Sequence, residues 1–268
     1  MQGGGLPPLT PVVRSLVILN VVVFLVDQTI GLPALAMYVP NTPNFYPFQV
    51  VTHMFMHANI VHIAMNMLWL AMIGSLVEMV WGSKRLLFFY LACGLGAVAL
   101  HMAVTMWQLH GLEQAAAAFE LAPTHGHFVD FFINHANKMG VGLNEEVMAQ
   151  VEAQLMNGDK SIAPELTKNM QDAVVMIRDS HRVVGASGCV FGVMVAFAFL
   201  FPNQEMGFFM LPFRMSSRTF VGLMLLTEVI RGISDVPGDN VAHFAHLGGA
   251  LLGTLVILGW YGELRWPK

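Results

Sequence analysis

The chain is 268 residues long, 56% hydrophobic and only 11% charged, where a soluble globular chain carries roughly 25% charged residues. Its mean hydropathy is +0.61. This composition excludes an ordinary soluble domain, and a net charge of −4 without a basic patch argues against a nucleic-acid partner. The partner it implies is the lipid bilayer. Cys93 and Cys189 both lie in apolar runs and give neither a disulfide framework nor a CxxC metal pattern. Residues 1–11 carry no basic stretch ahead of the first apolar run, so no cleaved signal peptide is expected.

A bilayer-crossing helix needs about 20 mostly apolar residues. Six segments qualify as candidates: residues 12–30, 60–80, 86–107, 184–201, 217–233 and 241–261. Basic residues sort to one side of them. Arg14, Lys84, Arg85, Arg214, Arg218, Arg265 and Lys268 fall on one face, whereas Arg231 stands alone in the short loops of the other. The positive-inside rule then predicts cytoplasmic termini. Spans two, four and six all start at the outer face and run inward.

In chain order, the loop 31–51 is rich in proline and aromatics (Pro33, Pro40, Pro43, Phe45, Tyr46, Pro47, Phe48). Proline breaks regular helix, and the apolar content predicts a segment half-embedded at the interface. The second span opens among His53, His57, Asn59, His62 and Asn66. His62 and Asn66 are four apart and share a helix face. Polar groups at that depth are costly and point to function, whereas His53 and His57 are read as nearer the water. Glu78 is expected to pair with Lys84 or Arg85, and His101 to be a satisfied core residue.

Residues 108–182 hold ten of the 17 acidic and five of the 13 basic residues, which predicts a soluble, mainly helical insertion between helices three and four. Asn144 with Glu145 and Glu146 reads as a helix start, and Pro164-Glu165 as another, running through Met176. His125, His127 and His135 show no convergent ligand spacing, so no metal site is assigned there. Residues 202–205 form a turn, followed by an inner-face interfacial segment from Phe208 to Phe213.

The informative stretch is Gly185-Ala186-Ser187-Gly188-Cys189-Val190-Phe191-Gly192. One reading is a small-residue face that lets two membrane helices touch. The other is a serine kept approachable so that it can attack a carbonyl. Span six supplies His246 with Gly249 and Gly253, and span four has the matching spacing in Gly188 and Gly192. If these glycine faces meet, His246 stands beside Ser187 and can take its proton. His62 and Asn66 could donate to the oxyanion of acyl transfer. No acid is expected at this depth, which makes the arrangement a Ser–His dyad. His243, three residues before His246, is a rival base that lies less deep.

On these residues the chain resembles the rhomboid family of intramembrane serine proteases. The match rests on Gly185-Ala186-Ser187-Gly188 (GxSG), Ala245-His246-Leu247-Gly248-Gly249 through Gly253 (AHxxGxxxG), and His62 with Asn66 (HxxxN). The resemblance implies an all-α, polytopic fold with a six-helix core in a single membrane domain, 1–268, into which residues 108–182 are inserted. It implies a cofactor-free endopeptidase that cleaves single-span transmembrane protein substrates in or near their membrane segments. Ser187 would be nucleophile and His246 base, with His62, Asn66, Gly185 and the Ser187 amide at the oxyanion and Phe191 against His246. The expected location is the bacterial inner (cell) membrane, with the site opening to the periplasmic side. The chain departs from the family pattern in having no Trp-Arg pair in the first loop and in its long insertion. A catalytically inactive, client-binding relative is the alternative. A metal enzyme built on His53, His57 and His62 is disfavoured, because no HExxH occurs and no carboxylate lies among them.

Overall fold

The computed structural model describes residues 8–207, 214–234 and 241–262. It is mostly helical, with two short antiparallel ladders that the all-α expectation did not include. Among the described residues, four helices are long and apolar enough to cross a membrane: α1 (Pro11–Ile30), α2 (Ile60–Trp81), α3 (Ser83–Leu121) and, near the C-terminus, His243–Tyr261. Helix α2 contains a π-helical segment at Leu70–Gly74.

The helix at the centre is shorter. It is Ser187–Leu200, 14 residues, about 21 Å at 1.5 Å per residue, against roughly 30 Å of bilayer hydrocarbon. Among its residues only Ser187, Val195 and Leu200 escape full burial. A helix that is apolar on every side must be enclosed by others, and this one is packed by α2, α3 and the C-terminal helix. Its close neighbours are admitted by glycine. A Cβ on Gly249 would stand 2.0 Å from the Gly188 carbonyl oxygen, and one on Gly192 would stand 3.1 Å from that of Gly249. The expected meeting of the two glycine faces is present. Gly96 and Gly248 repeat the device between α3 and the C-terminal helix, where a Cβ on Gly248 would be 2.4 Å from the Gly96 oxygen.

Helix α3 does not stop where the third span was expected to end, at residue 107. It is continuous for 39 residues, about 58 Å, and so carries its C-terminal half out of any bilayer. There it nucleates a second hydrophobic core, in which Leu109, Leu112 and Phe119 of α3 pack with Phe128, Phe131 and Phe132 and with Met170, Val174 and Ile177. Three further helices complete this layer: α4 (His125–Val129), α5 (Glu145–Met156) and α6 (Ala163–Ser180). The expected starts are both found. Asn144 caps α5 by accepting the Glu146 amide at 2.8 Å, and proline lies in the first turn of α6.

The first loop is anchored without arginine. Gln49 is fully buried. Its Nε2 donates to the carbonyls of Ala34 and Asn44, and its Oε1 accepts from the amides of Tyr38 and Tyr46. All four amide sites of one side chain are used to hold a proline-rich loop. Strand β1 (Met37–Tyr38) then pairs with β2 (Arg182–Val183), in register Met37↔Val183, so the loop is bonded to the segment leading into Ser187.

The central helix, numbered α7, is followed by a ladder of β3 (Glu205–Gly207) and β4 (Arg214–Ser216). Then come α8 (Ser217–Ile233) and the C-terminal helix α9 (His243–Tyr261). The interfacial segment expected at 208–213, and Arg265 and Lys268, lie outside the described residues. Glu78 departs from its expected pairing with Lys84 or Arg85. It accepts the Val12 and Val13 amides at 3.0 Å each and the hydroxyls of Thr10 and Ser83. Amides in the first turn of a helix have no partner within it, and the helix dipole favours an anion there; that end of α1 is a better site for Glu78 than an exposed ammonium.

Replacing Gly249 by alanine should lower stability by about 1–3 kcal/mol, since the new methyl meets backbone that cannot move aside. Thermal unfolding in detergent would register this, and an unchanged midpoint would contradict the close approach.

Candidate active site

Gly185 has φ +132°, a conformation side chains rarely tolerate. A Cβ there would also lie 2.8 Å from Cε1 of His62 and 3.5 Å from the Ser187 hydroxyl. The turn this allows is tied down by the Gly185 amide donating to the His53 carbonyl at 2.9 Å. Ser187 is therefore the first residue of α7. The bond from the Val190 amide to Ala186 O, at 2.9 Å, closes the first turn. The amides of Ser187, Gly188 and Cys189 precede it, have no acceptor within the helix, and form the positive end of its dipole.

On α9, one turn in, His246 presents Nε2 to the Ser187 Oγ at 2.8 Å. Phe191, one turn along α7 from Ser187, stacks on the imidazole with centroids 4.3 Å apart and planes 10° from parallel. His62 lies on the other side of Gly185, where its Nδ1 faces the Ala58 amide at 3.4 Å. An amide can only donate, so Nδ1 is the acceptor and the ring proton sits on Nε2. Asn66 is buried and spends one Nδ2 proton on the His62 carbonyl, at 3.0 Å. The structure thus brings Ser187, His246, His62, Gly185 and Phe191 together. Asn66 joins them through His62, and no bond from it to Ser187 occurs among the described residues.

An acid does stand at this depth. Glu228 of α8 directs Oε2 to Nδ1 of His246 at 2.8 Å and to Nδ1 of His243 at 2.6 Å. All three residues are at most 9% exposed. The expected Ser–His pair is in this respect incomplete, and the rival histidine is accounted for: His243 turns toward the carboxylate, and it is His246 that faces the hydroxyl. Glu228 could have been noticed in the sequence by the same cost argument that singled out His62, since it is the one acidic residue of an apolar helix.

Among the described residues these three also form a group that could hold a metal ion, with donor atoms within 4.8 Å of one another. Around a tetrahedral ion with bonds near 2.05 Å, ligand atoms sit about 3.3 Å apart. The 2.6 and 2.8 Å separations are those of charge-assisted hydrogen bonds.

His53 and His57 are not near water. They are 3% and 2% exposed. His53 Nδ1 bonds the Gln49 carbonyl at 2.9 Å. His57 meets the His62 ring edge-on at 5.1 Å, and neither of its nitrogens has a hydrogen-bond partner among the described residues. His101, expected to be a satisfied core residue, stacks on His181 at 5.7 Å with the two Nε2 atoms 3.5 Å apart, and its Nδ1 has no hydrogen-bond partner among the described residues. Those partners are 80 residues apart in sequence and could not be inferred from it. His125, His127 and His135 do not gather: the first pairs with Glu152 at 3.8 Å, the last with Asp130 at 3.9 Å.

A sequence model of the Rhomboid domain matches residues 44–160 and 125–262, which together span most of the chain and all the site residues above. No curated protein matches it.

Burial, with a smaller contribution from the nearby His62, pushes the His57 imidazole down from 6.5 to about 4. The unfolded chain, with an ordinary imidazole, binds the proton first. Stability is therefore fully present above about pH 6.5 and lost as pH falls toward 4, by about 3 kcal/mol in all. Unfolding midpoints of wild type and His57→Gln should diverge less at pH 5 than at pH 7.5. Parallel pH dependences would contradict the assignment.

Proposed function

Because the chain belongs to the rhomboid family, we propose that this integral membrane protein is a serine endopeptidase cleaving peptide bonds in or near the transmembrane segments of single-span protein substrates. One observation carries the reading: the 2.8 Å hydrogen bond from the Ser187 hydroxyl to His246 Nε2, at the N-terminus of a buried helix. A hydroxyl is a weak nucleophile until a base takes its proton, and this imidazole is already in place to do so.

In the proposed reaction Ser187 Oγ attacks the scissile carbonyl carbon while its proton passes to His246 Nε2. The carbonyl oxygen, now negative, is received by the free amides at the start of α7 and by the Nε2–H of His62, with Asn66 holding that ring's helix turn. Such donors are preorganised and need not reorient as charge develops. His246 then returns the proton to the leaving amine, and the C–N bond breaks to give an acyl-serine. Water, deprotonated by the same Nε2, attacks the acyl carbon; the bond to Ser187 Oγ breaks, the proton returns to that oxygen, and the carboxylate product is released. Phe191 keeps the imidazole in one plane throughout.

The short central helix supports a site recessed from one membrane face: about 21 Å of helix cannot fill roughly 30 Å of hydrocarbon, which leaves Ser187 below the surface yet open to water. The six-span reading adds α7 and α8 to the four long helices. With basic residues gathered on the other face, the site opens to the periplasmic side of a bacterial inner membrane. A client-binding relative without activity would have no need for the serine–imidazole bond.

Incubated with a fluorogenic single-span substrate in detergent, wild type should cleave, and Ser187→Ala and His246→Ala should not. His62→Ala should retain more activity than either, since one oxyanion donor is worth about 10²–10³-fold. Cleavage by Ser187→Ala equal to wild type would refute the mechanism, and absence of cleavage by wild type would favour the inactive relative.

A further inference from the structure

Glu228 poses a problem that the two-residue mechanism does not solve. A carboxylate in an apolar helix, 9% exposed, costs several kcal/mol to desolvate unless fully paired. It is paired by two imidazole N–H groups on one oxygen, from His243 at 2.6 Å and His246 at 2.8 Å. A carboxylate oxygen accepts at two lone pairs, so both bonds form at once.

The consequence for His246 is chemical. Its Nδ1 faces an acceptor and so carries the proton. That leaves the lone pair on Nε2, the nitrogen that faces the Ser187 hydroxyl. Without an acceptor at Nδ1 the ring divides between two tautomers, one of which presents N–H to the serine and cannot act as a base. Once Nε2 has taken the serine proton, the imidazolium lies against a carboxylate in surroundings where charge attraction is weakly screened. His243 takes the second lone pair, which holds the carboxylate in the orientation that His246 needs.

We propose that Glu228 is a positioning residue of the catalytic apparatus, making a Ser187–His246–Glu228 relay with His243 as the brace of its carboxylate. This rests on the protease reading and refines it. Glu228 touches neither serine nor substrate and acts only through His246, the division of labour seen where an acid orients a histidine base.

The test is steady-state cleavage of the fluorogenic substrate by wild type, Glu228→Gln, Glu228→Asp and Ser187→Ala, with unfolding midpoints for each. Glutamine keeps the shape but removes the charge and the demand for an Nδ1 proton. Its kcat should fall by about 10²–10⁴-fold, in line with loss of an orienting acid, with KM within about twofold because no substrate contact is lost. Aspartate, shorter by one methylene but charged, should recover part of kcat. The wild-type protein should also show a far-downfield proton resonance from an imidazole bonded to a carboxylate, absent in His246→Ala. That signal decides the matter even if Glu228→Gln fails to fold. Full kcat in Glu228→Gln, with or without a lower unfolding midpoint, would reduce Glu228 to a structural tie, and absence of the resonance would overturn the relay. Wild type no more active than Ser187→Ala would sink the protease reading and this proposal together.

Discussion

The contact between Gly188 and Gly249 governs the membrane half of the molecule. A Cβ on Gly249 would sit 2.0 Å from the Gly188 oxygen, so the two backbones meet with nothing between them. In lipid there is no hydrophobic drive toward helix association, and close packing of small residues takes its place. The approach fixes depth and rotation together. Ser187 precedes Gly188 by one residue and His246 precedes Gly249 by three, so the register that seats glycine on glycine also sets hydroxyl against imidazole.

Around this contact, polar groups are made affordable by mutual use. Gln49 spends all its amide capacity on four backbone groups of a loop rich in proline. Glu78 satisfies the exposed amides of α1, and Glu228 satisfies two imidazoles. Each is buried, where a polar atom left unpaired would cost several kcal/mol. The first loop and the serine turn are linked by the β1–β2 pairing and the Gly185–His53 bond, so the loop is continuous with the floor of the site.

Much of this was legible in the residues. Glycine spacing on spans four and six predicted which faces meet, and the helix starts at Asn144 and Pro164 followed from capping chemistry. What escaped was anything dependent on depth across different helices. Glu228 comes from a different helix, and counting along that helix did not reveal that its carboxylate meets His246. His57 looked wet because it lies before the second span, yet it is buried edge-on against the His62 ring. The end of span three was placed where hydropathy falls, but α3 has a second apolar surface to bury in the insertion and simply continues. Local patterns encode local structure, whereas these features depend on partners far apart in the chain.

The central claim is that Ser187 is activated by His246. Its most direct test is to treat the protein, reconstituted in lipid, with a fluorophosphonate and map the modified residue by mass spectrometry. The account predicts a single adduct on Ser187 that disappears in His246→Ala while the fold persists. Labelling elsewhere, or labelling of Ser187 undiminished without His246, would contradict it.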